Sequence, residues 1–372
     1  MSRFFDLVTK PARDLGNAPV AARPAPDGRQ SLLRLDSNES PYGPSALALE
    51  AIRTALQESN LYPDNDCSAL RIRLAQHHGI TTDQVIVTAG STALIGILCQ
   101  TMLGPGLNAV TGLHTFVVYS LAVHAAGAEL VQAPMKQDSL DLDAMLAAVD
   151  ANTRLVFLAN PNNPTGTVVN AETTRAFLDA LPSHVVVVLD EAYFEYANYF
   201  AELRGIHYSE SLEYVKQGRP VVVLRTFSKT HGLAGLRIGY GMGPAELLAF
   251  CAGMRNTYSV SSAAQHGALA ALGDLRHVRD VVSQNAGQAQ LLSGSLSSLG
   301  FRVTPTSANF VHCDAGPDAP ALAQALYQQG ISVRHLGTWG LPNSLRISIG
   351  KPEQNRALVE ALRRVRSAAA GR

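Results

Sequence analysis

Six short apolar runs, most of them separated by helical stretches, constrain this chain more than any other feature. They read VIVT (85–88), NAVTGL (108–113), LVFLAN (155–160), VVVVLD (185–190), VVVLRTF (221–227) and RIGYGMG (237–243). A strand with one face in water alternates apolar and polar residues, whereas continuous runs belong to strands buried on both faces. Their alternation with helices indicates a mostly parallel central sheet between helices, an α/β main domain. Residues 45–57 and 66–79 have apolar positions at helical spacing, the second stretch stopping at Gly79. A long helix is expected over 275–299, followed by the short strands FRVTP, NFVHC, ISVRHL and LRISIG with helices between and after them. That reads as a smaller α/β unit. The expected division is 1–44 as an N-terminal arm and part of the small domain, 45–270 as the large domain, and 271–372 as the small C-terminal domain. Pro11, Pro19, Pro24 and Pro26 make the first thirty residues read as an extended arm and not as a packed element.

Charge narrows the partners. Lys+Arg and Asp+Glu number 30 each, so the 372-residue chain has no basic field for nucleic acid or an anionic membrane. With 47% hydrophobic and 16% charged residues it can build a sizeable core, so small molecules are the expected partners. Cys67, Cys99, Cys251 and Cys313 are scattered without a CxxC pair, which points to neither a metal ribbon nor a disulfide framework and fits a reducing cytoplasm. No signal peptide or membrane-spanning run is expected. Lysine occurs only at 10, 136, 216, 229 and 351, so a nucleophilic amine has five candidates.

In open parallel sheets ligands bind at the carboxyl ends of the strands. After VIVT come Ala89, Gly90, Ser91 and Thr92 at the start of a helix, suited either to a phosphate or to a simple hydroxyl cap. After LVFLA the rigid turn NPNNPTG (160–166) holds Asn162 and Asn163, which could serve a ligand or only the local backbone. VVVVLD ends in Asp190, followed by Glu191, Ala192 and Tyr193. A carboxylate there needs a cation, from a ligand or from an arginine. The acidic pair also resembles the Walker B carboxylates, but the chain has no GxxxxGK[ST]. Lys229 follows a buried strand beside Thr226 and Ser228, with Arg237 eight residues on, placed to form a Schiff base. Lys351 is its best rival, though Pro352 and a helical stretch follow it at once. An amine, a carboxylate, an amide, a phenol and an anion nest with an arginine together meet the needs of pyridoxal 5′-phosphate.

These residues give the chain its resemblance. DSNESPYGP (36–44), LYPD (61–64), NPNNPTG, DEAY (190–193) and SK…GLAGLRIGY (228–240) resemble a fold-type I aminotransferase of class I/II, most like the histidinol-phosphate aminotransferase branch. The resemblance covers nearly the whole chain. It implies that Lys229 is the Schiff-base lysine and proton shuttle, that Asp190 pairs with the pyridinium, and that Asn163 and Tyr193 contact the ring oxygen. Phe116 would stack on the ring, and Gly90, Ser91, Thr92, Thr226, Ser228 and Arg237 would hold the phosphate. Tyr62 would reach the cofactor of a neighbouring subunit in a homodimer. Asn38, Arg334 and Arg346 would bind the substrate, and no metal is expected. The branch usually has an acidic pair where this chain has Thr92 and Ala93, Pro where it has His114, and Tyr where it has Phe116. The implied reaction is amino transfer from an amino donor, histidinol phosphate, to a 2-oxo acid, 2-oxoglutarate. An aromatic amino acid aminotransferase and a decarboxylase like that for threonine phosphate are the alternatives on the same fold. A ligand-sensing regulator would need a DNA-binding segment, and residues 1–31 are too short and too rich in proline for one.

Overall fold

In the computed structural model, which describes residues 7–16 and 32–370, the six apolar runs join one seven-stranded sheet. Its spatial order is Val85–Thr88, Gly239–Met242, Val221–Thr226, Val186–Asp190, Thr153–Ala159, Asn108–Gly112 and Glu129–Ala133. Gly239–Met242 is antiparallel to both its neighbours, and the other pairings are parallel. Successive residues of a strand point to opposite faces. Accordingly Val187, Leu189, Val221 and Val223 enter one apolar layer, while Val188, Val222 and Leu224 enter the other. Two buried faces admit a polar side chain only where a partner satisfies it, as Glu191 does for Arg225, which is why the runs are nearly unbroken. Glu129–Ala133 lies at the sheet's edge with most of its residues partly or fully exposed, so it carries no such run.

The second sheet has five strands, in the order Leu33–Leu35, Ile331–His335, Ser344–Ser348, Phe310–Asp314 and Arg302–Val303. Leu33–Leu35 pairs in parallel with Ile331, Ser332 and Val333, bringing the N-terminal part of the chain into a sheet otherwise built from its last third. Val311, Cys313, Leu345 and Ile347 face a core of their own. Directly paired residues share a face. His312, Arg346 and Arg334 are paired across three strands and so form one row on the opposite side. The long helix runs over Leu275–Ser298, with Asp274 capping its start by accepting from the His277 N–H. Val281 and Val282 on this helix pack with Tyr193 and Phe310, while Ala286, Ala289 and Leu292 enter the core of the smaller sheet, so the helix bridges the two layers.

The extended-arm reading needs correction at Lys10–Gly16, which is a helix packed against the helix Val118–Ala125. Pro11 stands in its first turn, where a missing N–H costs nothing and the fixed φ favours a helix. The rest of the expected arm, 1–6 and 17–31, lies outside the described residues. Among the described residues no helix is long and apolar enough to cross a membrane.

Candidate active site

The carboxyl edge of the large sheet and the polar row of the small sheet face each other across a cavity of about 490 Å3. Asn38, Ser91, Thr92, Phe116, Asn163, Asp190, Tyr193, Thr226, Ser228, Lys229, Arg237, Arg334 and Arg346 all line it. Gly90 lies just behind, and Tyr62 lies elsewhere. Its side chain is 81% exposed and stacked on Tyr258 at 4.6 Å between centroids.

Lys229 comes from the loop after Val221–Thr226. Its amine donates to the carbonyls of Asn38 at 3.1 Å and Ser37 at 3.4 Å. Burial lowers its pKa to about 8, helped by the positive charges of Arg346 and Arg237, so far more of it is in the neutral, nucleophilic form near neutrality than of an ordinary lysine. Lys351, the rival, does not line the cavity; it precedes the helix Pro352–Ala370, and its backbone N–H donates to Gln354.

The adjacent acids at the end of Val186–Asp190 have separate fates. Glu191 takes the arginine: Arg225 donates to it through Nε at 3.0 Å and Nη2 at 2.8 Å, and Ser209 and Ser211 donate as well. Asp190 makes no ion pair with an arginine among the described residues. It accepts from the Tyr119 hydroxyl at 2.8 Å and the Ala192 N–H at 3.1 Å. Burial nevertheless pushes its carboxyl pKa up against those two bonds and the Lys229 charge. A carboxylate held this way is suited to a cationic ligand atom. Tyr119 was missed in the sequence. It is fully buried, stacked on Phe157 at 4.6 Å and edge-on to Phe116 at 5.6 Å. Its place three residues after Phe116 was the available signal, since it stands in the first turn of the helix Val118–Ala125, just past the residue expected to stack on the ring.

At the other end, Gly90 is the N-cap of the helix Ser91–Met102 and offers no side-chain cap bond, and the first turn carries no acidic residue. The alternative of a hydroxyl cap therefore fails; the Ala93 N–H is taken by the Gly90 carbonyl at 3.1 Å, while Ser91 and Thr92, whose N–H groups have no partner within the helix, both line the cavity. Gly90 has φ +84, and a Cβ there would lie 2.6 Å from Nη2 of Arg237. Gly239 packs equally close, since a Cβ on it would meet the Ser91 nitrogen at 2.5 Å. The Thr226 hydroxyl donates to Ser228 at 2.9 Å beside this turn. Arginine, hydroxyls and free N–H groups form a cradle for an anion.

The two asparagines also divide. Asn162 is satisfied locally by Thr115, Thr165 and the His114 carbonyl. Asn163 faces the cavity and accepts from Nη1 of Arg346 at 2.5 Å. Arg346 is buried, donates through Nη2 to the Asp36 carbonyl at 2.9 Å, and leaves Nε without a hydrogen-bond partner. Tyr193 accepts from the Asn38 side chain at 2.9 Å, and burial raises its pKa. Trp339 and Glu39 also line the cavity and were given no role from sequence. His114 opens toward an adjoining pocket that shares Phe116 and Trp339 with the cavity, and its Nδ1 donates to the Trp339 carbonyl at 2.7 Å.

The family model for aminotransferase class I and II matches residues 30–362. The chain belongs to the class I and II aminotransferases. A histidinol-phosphate aminotransferase 2 of Pseudomonas fluorescens is 42% identical over 335 residues, 90% of this chain and 89% of the relative. The crystal structure of histidinol-phosphate aminotransferase from Sinorhizobium meliloti in complex with pyridoxal-5′-phosphate is 31% identical, with a TM-score of 0.86 over 98% of this chain and 99% of that one. An aspartate aminotransferase from Thermus thermophilus with maleate is 26% identical, with a TM-score of 0.78 over 90% and 92%. The fold of this aminotransferase is therefore fold type I.

Proposed function

We propose that this transaminase takes its amino group from histidinol phosphate and gives it to 2-oxoglutarate, acting as a cytoplasmic homodimer. Its cofactor is pyridoxal 5′-phosphate, which supplies an aldehyde to receive the amino group and a protonated ring to accept the electrons released at the donor's Cα. The cavity fits that group at both ends: a cradle behind Gly90 that a Cβ would fill, and a buried Asp190 without an arginine. Gly90, Ser91, Thr92, Thr226, Ser228 and Arg237 would hold its phosphate, Asp190 its ring nitrogen, Asn163 and Tyr193 its ring oxygen, and Phe116 its face.

Lys229 is the residue that would hold the cofactor covalently, and its Nζ, when free, is the base placed to take the proton from Cα of the donor and to give it back. Asp190, which accepts from Tyr119 and Ala192 and whose burial disfavours a lone charge, would be paired by the charged ring nitrogen and so favour it. Arg346 and Arg334 grip the donor's anionic group from one side of the small sheet.

The observation that carries the donor assignment is the direct pairing of Arg334 with Arg346 on neighbouring strands, both lining the cavity. Two adjacent guanidinium groups suit a phosphate, which carries up to two negative charges, better than the single charge of an amino acid carboxylate. The likeness to relatives named for histidinol phosphate supports the same choice. For the homodimer, the support is Tyr62, solvent-facing in its own chain and part of the motif that resembles a cross-subunit contact.

A donor screen tests this reading. Histidinol phosphate, phenylalanine and tyrosine are each incubated with 2-oxoglutarate, and glutamate and carbon dioxide are measured. Glutamate formed fastest with histidinol phosphate is the expected result. Faster turnover of phenylalanine or tyrosine overturns the donor, and carbon dioxide without glutamate overturns the reaction.

A further inference from the structure

Two carboxylates line the cavity, Asp190 and Glu39, among four cationic side chains, Lys229, Arg237, Arg334 and Arg346. The chemistry above accounts for all of these except Glu39. Its backbone is firmly placed. The preceding residue, Asn38, has φ 55, a left-handed conformation that asparagine tolerates better than most residues. Asn38 is pinned there at four points: its N–H donates to Ser348 at 2.7 Å, its side-chain amide donates to Tyr193 at 2.9 Å, and its carbonyl accepts from Asn309 at 3.0 Å and Lys229 at 3.1 Å.

The carboxylate of Glu39 is by contrast loosely held. Its hydrogen-bonding partner is Arg34 Nη2 at 2.7 Å, on the short strand Leu33–Leu35, with the two side chains 42% and 44% exposed. An ion pair this exposed contributes little, so it competes weakly with a ligand for the carboxylate. The charge of Glu39 also acts on Lys229, opposing the effect of burial, which sets it within electrostatic reach of the reacting nitrogen. A fixed backbone carrying a weakly engaged acceptor on the wall of a substrate cavity is the arrangement of a recognition group.

We propose that Glu39 reads the side chain of the amino donor, its carboxylate accepting a hydrogen bond from a ring N–H and so selecting an imidazole-bearing phosphorylated donor over a phenyl-bearing one. The inference rests on the donor reading above and assigns the part of the donor that the arginines do not touch. An ionised carboxylate only accepts. A phenyl ring beside it would displace water from it and offer no N–H in return, and a hydrogen bond lost without replacement is what gives such sites their discrimination.

Trp339 supplies the readout, because it is the one tryptophan of the sequence, lines the same cavity and lies 5.8 Å from the Arg346 guanidinium carbon. Imidazolylethyl phosphate and phenylethyl phosphate share a phosphate and carry no amine, so they bind the holoenzyme without reacting. Their dissociation constants are measured from the quenching of Trp339 emission. The expected preference of the natural chain for the imidazole compound is about tenfold to a hundredfold, the size of one hydrogen bond to a charged acceptor. Glu39→Met removes that preference, and Glu39→Gln, which keeps an acceptor oxygen without the charge, gives an intermediate ratio. A ratio preserved in Glu39→Met, or no preference in the natural chain, overturns the inference. The donor reading fails separately: if histidinol phosphate yields no glutamate from 2-oxoglutarate while the Glu39-dependent binding ratio persists, the reading falls and the role of Glu39 stands.

Discussion

The two sheets build the cavity by different means. From the seven-stranded sheet come groups at the points where strands stop: Lys229 after Val221–Thr226, Asp190 at the end of Val186–Asp190, Asn163 after Thr153–Ala159 and Ser91 after Val85–Thr88. The five-stranded sheet contributes Arg334 and Arg346 from within strands, paired across the ladder. A strand end frees backbone N–H groups and carries the turns and helix starts on which an anion cradle and a precisely aimed amine depend. A mid-strand position can only project a long side chain from a flat face. In the function proposed above, the larger sheet holds the reacting groups and the smaller one recognises the substrate. They meet where Arg346 bonds Asn163.

If that division is right, substitutions on the two sheets should fail in different ways. The largest effect is expected for Lys229→Ala, which should abolish both amino transfer and the visible absorption of the holoenzyme, whereas Lys351→Ala keeps both; absorbance spectra of the two purified variants check this. Next comes Asp190→Asn, predicted to retain the cofactor but to slow a single half-reaction by about a thousandfold, the scale seen when a fixed charge opposite a reacting group is removed. Stopped-flow absorbance measures it.

Arg346→Gln, on the other sheet, should lower kcat/KM for histidinol phosphate by about a hundredfold through loss of a bidentate, charge-assisted grip, while cofactor absorption persists. It should also move a pH profile. Only the neutral amine captures an aldehyde, so capture of pyridoxal 5′-phosphate by the cofactor-free enzyme should rise with pH through a midpoint at about 8, the pKa of Lys229, before it levels off. The positive charge of Arg346 helps to lower that pKa, and its removal should shift the midpoint upward. The smallest effect belongs to Tyr119→Phe. Deleting one hydrogen bond to a charged acceptor costs at least about 1.5 kcal/mol, and because the Ala192 N–H still donates to Asp190 the low end applies, so half-reaction rates should fall by about tenfold without loss of substrate affinity. A Tyr119→Phe defect seen in KM instead would blur the division between the sheets.

The same contrast explains what could be read from the sequence. VVVVLD and VVVLRTF were legible because burial on both faces removes polar residues from a strand, and Lys229 and Asp190 were legible because they follow such runs directly. Glu129–Ala133 was not, because an edge strand is only partly covered, and neither was Leu33–Leu35, whose partner lies about three hundred residues away. Lys10–Gly16 was hidden by prolines that signal an extended chain in most contexts but suit the first turn of a helix. Tyr119 escaped because its acceptor, Asp190, and its stacking partner, Phe157, come from strands that only the folded sheet makes neighbours. The alternatives for Asn162 and Asn163 likewise separate only once His114, Thr115 and Arg346 are brought to them.

Covalent attachment of the coenzyme to a single amine is the claim from which the remaining roles follow. Reducing the holoenzyme with borohydride and mapping the labelled peptide tests it most directly. The label should sit on Lys229 alone; a label on Lys351 or any other lysine, or a protein that takes up none, would contradict the account.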